Sequence, residues 1–347
     1  MYEYVGNIHI HSTYSDGGEK IPQIASWAAQ AGLDFIVITD HKDLEGLKRK
    51  EEGYFDGVLV LVGMEINSAR NHYLALDITE VVEPNDDNPQ EVINQVNNQN
   101  GIGIIAHPFD RESALLKKFG AYPWTDWTVR GFQGIEIWNF LSQWREGITS
   151  YAAGLYLLLN PHAALKGPDP QALQFYDRCQ QTGIPIVAFG SSDAHGSQVS
   201  IGPYEVTIAP YQLCFKCINM HIWVENRLSR DLKRDKPIIY QALRNGCSSI
   251  SYDYYLNSKG FRFYMEREEK KCYPGGRIKA DRDLLANVIT PYPAEVWLVK
   301  NGQKWKKSTG RMHRFVGISD GVYRVEVFHQ FKKGLRPWIF TNSIQVY

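Results

Sequence analysis

His9 and His11, two positions apart, open a series of imidazole and carboxylate side chains that continues with Asp16, His41, Glu65, His72, His107, Asp193 and His195. On a strand, residues i and i+2 project from one face, so His9 and His11 can grip a single ion. Asp16 follows in a loop loosened by Gly17 and Gly18. Six of the chain's ten histidines belong to the series, three carboxylates accompany them, and Asp40 stands beside His41. A lone histidine at a strand end is ordinarily a hydrogen-bonded structural residue. A run of them at successive strand ends needs another explanation. Neutral imidazoles mixed with carboxylates suit Zn, Mn or Fe, and two such ions held close together activate water for hydrolysis.

The elements that must carry these groups alternate between two periods. Asn7 to His11 alternates like a short strand, and Ile21, Ile24, Trp27, Ala28 and Ala31 have helical spacing that stops at Gly32. Phe35 to Ile38 is an all-apolar strand leading to Thr39-Asp40-His41, and Val58 to Val62 leads to Gly63-Met64-Glu65. Tyr73 to Leu76 follows His72, and a helix opened by Pro89 ends at Asn100-Gly101. Ile102 to Ile105 then delivers Ala106-His107-Pro108, and Ile135 to Trp138 is a similar strand. Asp169-Pro170 caps a helix that ends at Gly183, and Ile184 to Phe189 runs into Ser191-Ser192-Asp193-Ala194-His195. Strands alternating with helices predict a parallel sheet, and reactive groups at the C-terminal ends of strand after strand predict a barrel-like α/β domain over roughly residues 1–250.

Lys236-Pro237 starts a last helix ending near Asn245-Gly246, and beyond it the pattern changes. Short alternating runs appear at Phe261 to Tyr264, Glu295 to Val299, Val322 to Val327 and Ser343 to Val346, with an Asn301-Gly302 hairpin turn among them. Residues 251–347 are expected to form a small all-β, sandwich-like domain.

Lys plus Arg and Asp plus Glu are both 38, so the chain has no net positive field to collect nucleic acid. Five cysteines, an odd number, do not make a disulfide framework. The N-terminus lacks a basic and an apolar signal region, and the longest apolar run, Tyr151 to Leu159, falls short of the ~20 residues a membrane span needs. A soluble, cytoplasmic protein is the expectation. Cys214-Phe215-Lys216-Cys217 with His221 has the look of half a zinc site, but without a fourth ligand idle buried thiols are the better reading.

The run His9-Ile10-His11-Ser12-Thr13-Tyr14-Ser15-Asp16-Gly17, with Thr39-Asp40-His41, Gly63-Met64-Glu65, Ala106-His107-Pro108 and Ser192-Asp193-Ala194-His195, resembles the PHP family of polymerase and histidinol phosphatase domains. The likeness covers about residues 1–250 and implies a distorted (β/α)7 barrel. Gly321 to Glu326 and Pro337 to Asn342 are similar to the β-domain of PHP proteins grouped with carbaryl hydrolases. By position, the resemblance implies two to three divalent ions. His9, His11, Glu65 and Asp193 would hold the first. Glu65 would bridge to a second held by His72 and His107, and Asp16, His41 and His195 would hold a third.

The function implied is a phosphoesterase cleaving a small phosphate ester, with a water shared by two ions as nucleophile. Asp193 would orient that water or take its proton, and His195 or Asp40 would protonate the leaving group, unless Asp40 instead braces a ligand histidine. Glu136 and Asn139, ending the Ile135 strand, are expected to line the pocket, and Arg70 and Arg145 are the basic residues best placed to meet a phosphate. The tail also admits C–N or C–O hydrolysis of an amide, carbamate or ester. A non-enzymatic alternative is a metal-binding scaffold with a partner-recruiting β-domain. Specificity would lie in the loops around 109–130 and 140–170.

Overall fold

A computed structural model of the chain describes residues 1–113, 115, 120–201, 204–331 and 334–347, so residues 114 and 116–119 of the 109–130 loop lie outside the described residues. Tyr2–Ile8, Phe35–Ile38 and Val58–Val62 pair side by side and parallel, with Gly53–Phe55 folded back antiparallel on the edge. These strands carry branched apolar side chains on both faces, and Phe35–Ile38 and Val58–Val62 are buried throughout. Helices cover them, as a parallel sheet requires. Ile21–Ala31 starts with proline in its first turn and stops at Gly32, whose φ of 79° lets its amide reach back to Ala28 and Ala29.

A second sheet runs Met64–Ile66, Tyr73–Leu76, Ile102–Ile105, Gly134–Asn139 and Val187–Ser191. The last three are parallel, but Tyr73–Leu76 is antiparallel to both its neighbours, which departs from the all-parallel reading. The reversal has a consequence for His72. Because its strand runs the other way, the residue preceding that strand arrives at the end where its neighbours finish. Two single parallel bridges, Ile10 with Ala194 and His41 with Glu65, join the two sheets beside the imidazole and carboxylate groups. The last helix of the α/β part, Leu232–Asn245, begins one turn before Pro237, because the Asp231 side chain caps it by accepting from the Lys233 amide.

The tail is β-rich: Arg262–Arg267, Lys270–Cys272, Leu285–Lys300, Gln303–Phe315, Gly321–Phe331, Gly334–Thr341 and Ile344–Val346. It has its own core, built on Phe263, Val296, Leu298, Val325 and Trp338. Its sheet does not stop at the α/β part. Gly334–Thr341 pairs with Ser248–Tyr252, which pairs with Ile218–Val224, which pairs with Tyr2–Ile8, giving one 14-stranded sheet. Buried polar groups reinforce the join. Arg324 forms a two-pronged pair with Asp177 at 2.7 and 2.8 Å, and Asn342 both donates to and accepts from the backbone of Ala188. The strand so held, Val187–Ser191, is the one that delivers Asp193.

The Cys214 and Cys217 thiols are buried, and burial pushes both pKa values up, so the half-zinc pattern is inert packing. His221 turns elsewhere, its Nδ1 2.8 Å from Glu3 and its Nε2 2.9 Å from Asp253. Burial opposes charging this ring, yet Asp253 and Glu3 raise its pKa from 6.5 to about 9. A group whose pKa rises on folding stabilises the protein fully below its unfolded value and loses that contribution as pH rises through the folded value. The stability gap between wild type and His221→Ala, followed by urea unfolding, should therefore narrow between pH 6.5 and 9. The change should be on the order of 3 kcal/mol at most. A gap that stays constant over that window would show that His221 is neutral.

Candidate metal centre

Glu65, 1% exposed, is the middle of the site. Its Oε2 lies 3.1 Å from His9 Nε2, 3.3 Å from His11 Nε2 and 3.2 Å from His41 Nδ1. Its Oε1 lies 2.8 Å from His72 Nδ1 and 3.3 Å from His107 Nε2. Asp193 Oδ1 stands 3.3 Å from His9 Nε2 and 3.2 Å from His11 Nε2. Asp16 faces His195 Nε2 at 3.5 Å and His41 Nε2 at 3.6 Å. The nine side chains thus fall into three groups able to surround an ion: His9, His11, Glu65, Asp193; Glu65, His72, His107; and His11, Asp16, His41, His195. Glu65 is shared by the first two, and His11 by the first and third.

The spacings and the loose ends both suit cations. Four ligands about 2.1 Å from a tetrahedral ion stand about 3.4 Å from one another, close to the separations between these nitrogens and oxygens. His11 Nδ1 and Nε2, His41 Nδ1, His107 Nδ1 and Asp193 Oδ1 are buried with no hydrogen-bond partner among the described residues. Native proteins rarely leave such atoms unsatisfied. Several rings are also turned so that a lone pair faces inward. His195 Nδ1 donates to the Asp193 carbonyl at 2.9 Å, His72 Nε2 to the Ser68 carbonyl at 3.3 Å, and His9 Nδ1 to Glu136 at 2.9 Å.

Burial disfavours charge on His9, His11, His41, His107, Asp16, Glu65 and Asp193, and their mutual fields decide the outcome. Asp193, Glu136 and Glu65 hold the His9 pKa well above its ordinary value, and Asp193 and Glu65 raise His11 to about 9. His107 is raised by Glu65, whereas desolvation lowers His41. Glu65 is kept well below the usual carboxylate range, and Asp16 and Asp193 are depressed as well, by the surrounding imidazoles. The carboxylates demand positive charge, whether from protons or from metal ions.

The backbone is strained where it carries ligands. His9, His107 and Asp193 have φ of 67°, 27° and 53°. Such conformations cost about 1–3 kcal/mol each and persist only where the surroundings impose them. Glu136 imposes two of them. It accepts from His9 Nδ1, and its other oxygen accepts from the His107 amide at 2.8 Å.

The remaining sequence candidates divide. Glu136, expected to line the pocket, is buried beneath the cluster and braces His9, His107, Asn139 and Ser191. Asn139 caps the helix Phe140–Glu146 by accepting from the Ser142 amide, and it too faces inward. Asp40 is not among the residues lining the cavity over the cluster, and its oxygens accept from the Ser12 amide and from the Ser12 and Ser15 hydroxyls. It braces the loop that carries Asp16, not a histidine. Arg70 is exposed, 3.3 Å from Asp87, and not among the residues lining the cavity over the cluster. Arg145 does reach it.

A cavity of about 370 Å³ opens over the cluster. Arg145 lies in its wall, ion-paired with Asp110, and its guanidinium sits 6.0 Å from the Tyr122 ring centre. Tyr122 stacks on His72 at 4.5 Å, and Leu141, Trp144, Val199 and Ile208 add an apolar wall. Asp110 and Tyr122 were not legible from the sequence, apart from the position of Asp110 just past His107-Pro108.

Residues 7–182 match the PHP domain family. The chain belongs to that family. The PHP match encloses His9 to His107 and ends before Asp193 and His195. An uncharacterized protein of Methanocaldococcus jannaschii is 27% identical over 161 residues, 42% of this chain and 87% of that protein. A phosphoribosyl 1,2-cyclic phosphate 1,2-diphosphodiesterase of Eggerthella lenta is 32% identical over 83 residues, 22% of this chain and only 32% of that enzyme. Among solved structures, a two-domain Bacteroides vulgatus protein containing a predicted PHP-like metal-dependent phosphoesterase aligns over 99% of this chain and 95% of its own. That alignment has a TM-score of 0.48 and 16% identity.

If Glu65 is the shared ligand of this PHP centre, Glu65→Ala should strip most of the bound metal, measured per chain by mass spectrometry after dialysis. Glu136→Gln should keep the metals but weaken them roughly 10–100-fold against a chelator, as the loss of a ligand's supporting partner does. Full metal content in Glu65→Ala would contradict the shared-ligand geometry.

Proposed function

We propose that this PHP protein is a metal-dependent phosphoesterase acting on a small phosphate ester. The observation that carries the reading is the convergence of five imidazoles on Glu65 beneath a cavity with Arg145 in its wall. The relation to a named phosphodiesterase supports it. We read residues 1–250 as a distorted (β/α)7 barrel and residues 251–347 as a sandwich-like domain that braces it.

Two to three divalent ions, of Zn, Mn or Fe, would be held by His9, His11, Glu65 and Asp193, by Glu65, His72 and His107, and by Asp16, His41 and His195. Bound there, they would lower the pKa of a water and neutralise charge on the phosphoryl oxygens. The chain's own groups do the rest. Asp193, whose Oδ1 faces His9 and His11 at the centre of the cluster, orients the attacking water and takes its proton. The water oxygen bonds to phosphorus, the ester P–O bond breaks, and the departing oxygen takes a proton. His195, in the cavity wall with its Nδ1 on the Asp193 carbonyl, would give that proton from Nε2 in the form that holds only two ions, where no third ion occupies that nitrogen. Arg145 reads the phosphoryl group, with Asp110 setting the angle of its guanidinium. A cavity of about 370 Å³ takes a small molecule.

The test is hydrolysis of chromogenic phosphomonoesters, phosphodiesters, carboxylic esters and anilides by Mn-loaded protein. Phosphate esters should turn over. Asp193→Asn should lose at least about 10³-fold in kcat, with metal content measured alongside to separate lost chemistry from lost ions. Arg145→Ala should raise KM roughly tenfold or more while changing kcat less. Cleavage of carbonyl substrates alone would move the protein to C–N or C–O hydrolysis, and no turnover at full metal occupancy would leave a scaffold.

A further inference from the structure

A second and larger cavity, about 1040 Å³, lies where the α/β part meets the tail. Strand polarity puts it at the end opposite the metal centre. It is lined by Met1, before Tyr2–Ile8, by Val187, the first residue of Val187–Ser191, and by Cys247, before Ser248–Tyr252. His9 and Asp193 follow the far ends of the first two strands, and a five-residue strand spans roughly 15 Å. The two cavities share no lining residue.

Its charge is one-sided. Arg244, Arg267, Lys270, Lys271, Arg277 and Lys279 line it against one acidic side chain, Glu225. The whole chain carries 38 basic and 38 acidic side chains, so this is segregation and not a reflection of composition. Three of the cations already have partners. Arg244 donates to the Asn100 and Gly101 carbonyls, Arg267 faces Asp281 at 3.3 Å, and Lys271 faces Glu266 at 3.8 Å. Lys270, Arg277 and Lys279 make no ion pair among the described residues, and Arg277 has only the Tyr347 ring, 5.0 Å from its guanidinium.

Two of the free cations, Lys270 and Arg277, lie on strands, and Lys279 follows the second of these. Lys270–Cys272 pairs antiparallel with Arg262–Arg267, and Arg277–Ile278 pairs parallel with Ile344–Val346. The turn between them is clamped to the end of the helix Leu232–Asn245. Gly275 has a φ of 83°, and a Cβ there would lie 1.9 Å from the Asn245 carbonyl oxygen. Cations gathered around one cavity with little counter-charge repel, and a ligand with several negative charges relieves them together. One phosphate cannot span a space of this size. We propose that this cavity is a binding site for a small molecule bearing two or more linked phosphates, separate from the metal centre.

Titration calorimetry of the metal-loaded protein with sodium tripolyphosphate, and with orthophosphate for comparison, tests the assignment. Tripolyphosphate should bind at least tenfold more tightly than orthophosphate, and added salt should weaken it. The combined variant Lys270→Glu, Arg277→Glu and Lys279→Glu changes only exposed side chains and should keep its melting temperature. It should lose at least tenfold in tripolyphosphate affinity, whereas Glu65→Ala should keep that affinity. Absence of saturable binding overturns the proposal. So does binding that survives the triple variant and vanishes with Glu65→Ala, which would put the anion on the metals.

Discussion

Five imidazole nitrogens lie within 3.3 Å of the two oxygens of Glu65, a carboxylate that is 1% exposed. Burying that much polarity without compensation is costly, because a low-dielectric interior penalises every unpaired charge. The surroundings are arranged to meet the demand. Asp193 adds a second buried carboxylate, Asp16 a third at the rim, and Glu136 a fourth beneath, so His9, His11 and His107 are drawn toward positive charge despite their burial. Divalent ions satisfy the same demand and also satisfy the ring nitrogens left without hydrogen bonds.

Much of the fold can be read as the means of holding that cluster. Strands from two sheets finish at one place, and the reversed strand Tyr73–Leu76 brings His72 there from its beginning. Left-handed backbone at His9, His107 and Asp193 aims side chains that a regular strand would send elsewhere. Glu136 pins two of those residues, and Asp40 pins the loop of Asp16. The tail takes part through Arg324 and Asn342, which fix the helix and strand leading to Asp193. A tail bonded so closely into the sheet supports the candidate metal centre and also forms part of the wall of a second, basic cavity.

Most of the side chains that cluster here were legible because they follow short apolar runs, and strand periodicity is a local signal; Asp16 lies in a loop and His72 precedes its strand. The roles of their polar neighbours were not. Glu136 lies within the strand Gly134–Asn139 and Asn139 at its end, their side chains point beneath the cluster, and an all-buried strand does not show from sequence which of its faces meets the site. Asp40 read as a group that could touch a substrate or a histidine, and instead it serves the hydroxyls of Ser12 and Ser15. Arg145 was picked out, but its partner Asp110 is 35 residues away, beyond a long loop and the strand Gly134–Asn139. The reversed direction of Tyr73–Leu76 was hidden for a related reason: four apolar residues look alike in either direction. The shift to β structure after Ser248–Tyr252 was plain from alternation, but pairing of that strand with Gly334–Thr341 joins segments far apart in the chain.

The most direct test of the account is anomalous X-ray scattering from crystals of the protein purified without chelators. The shared-carboxylate account predicts at least two strong metal peaks, each within roughly 2.3 Å of a Glu65 oxygen. A third is expected among Asp16, His41 and His195. A single ion that does not touch Glu65, or no ion within reach of these side chains, would contradict it.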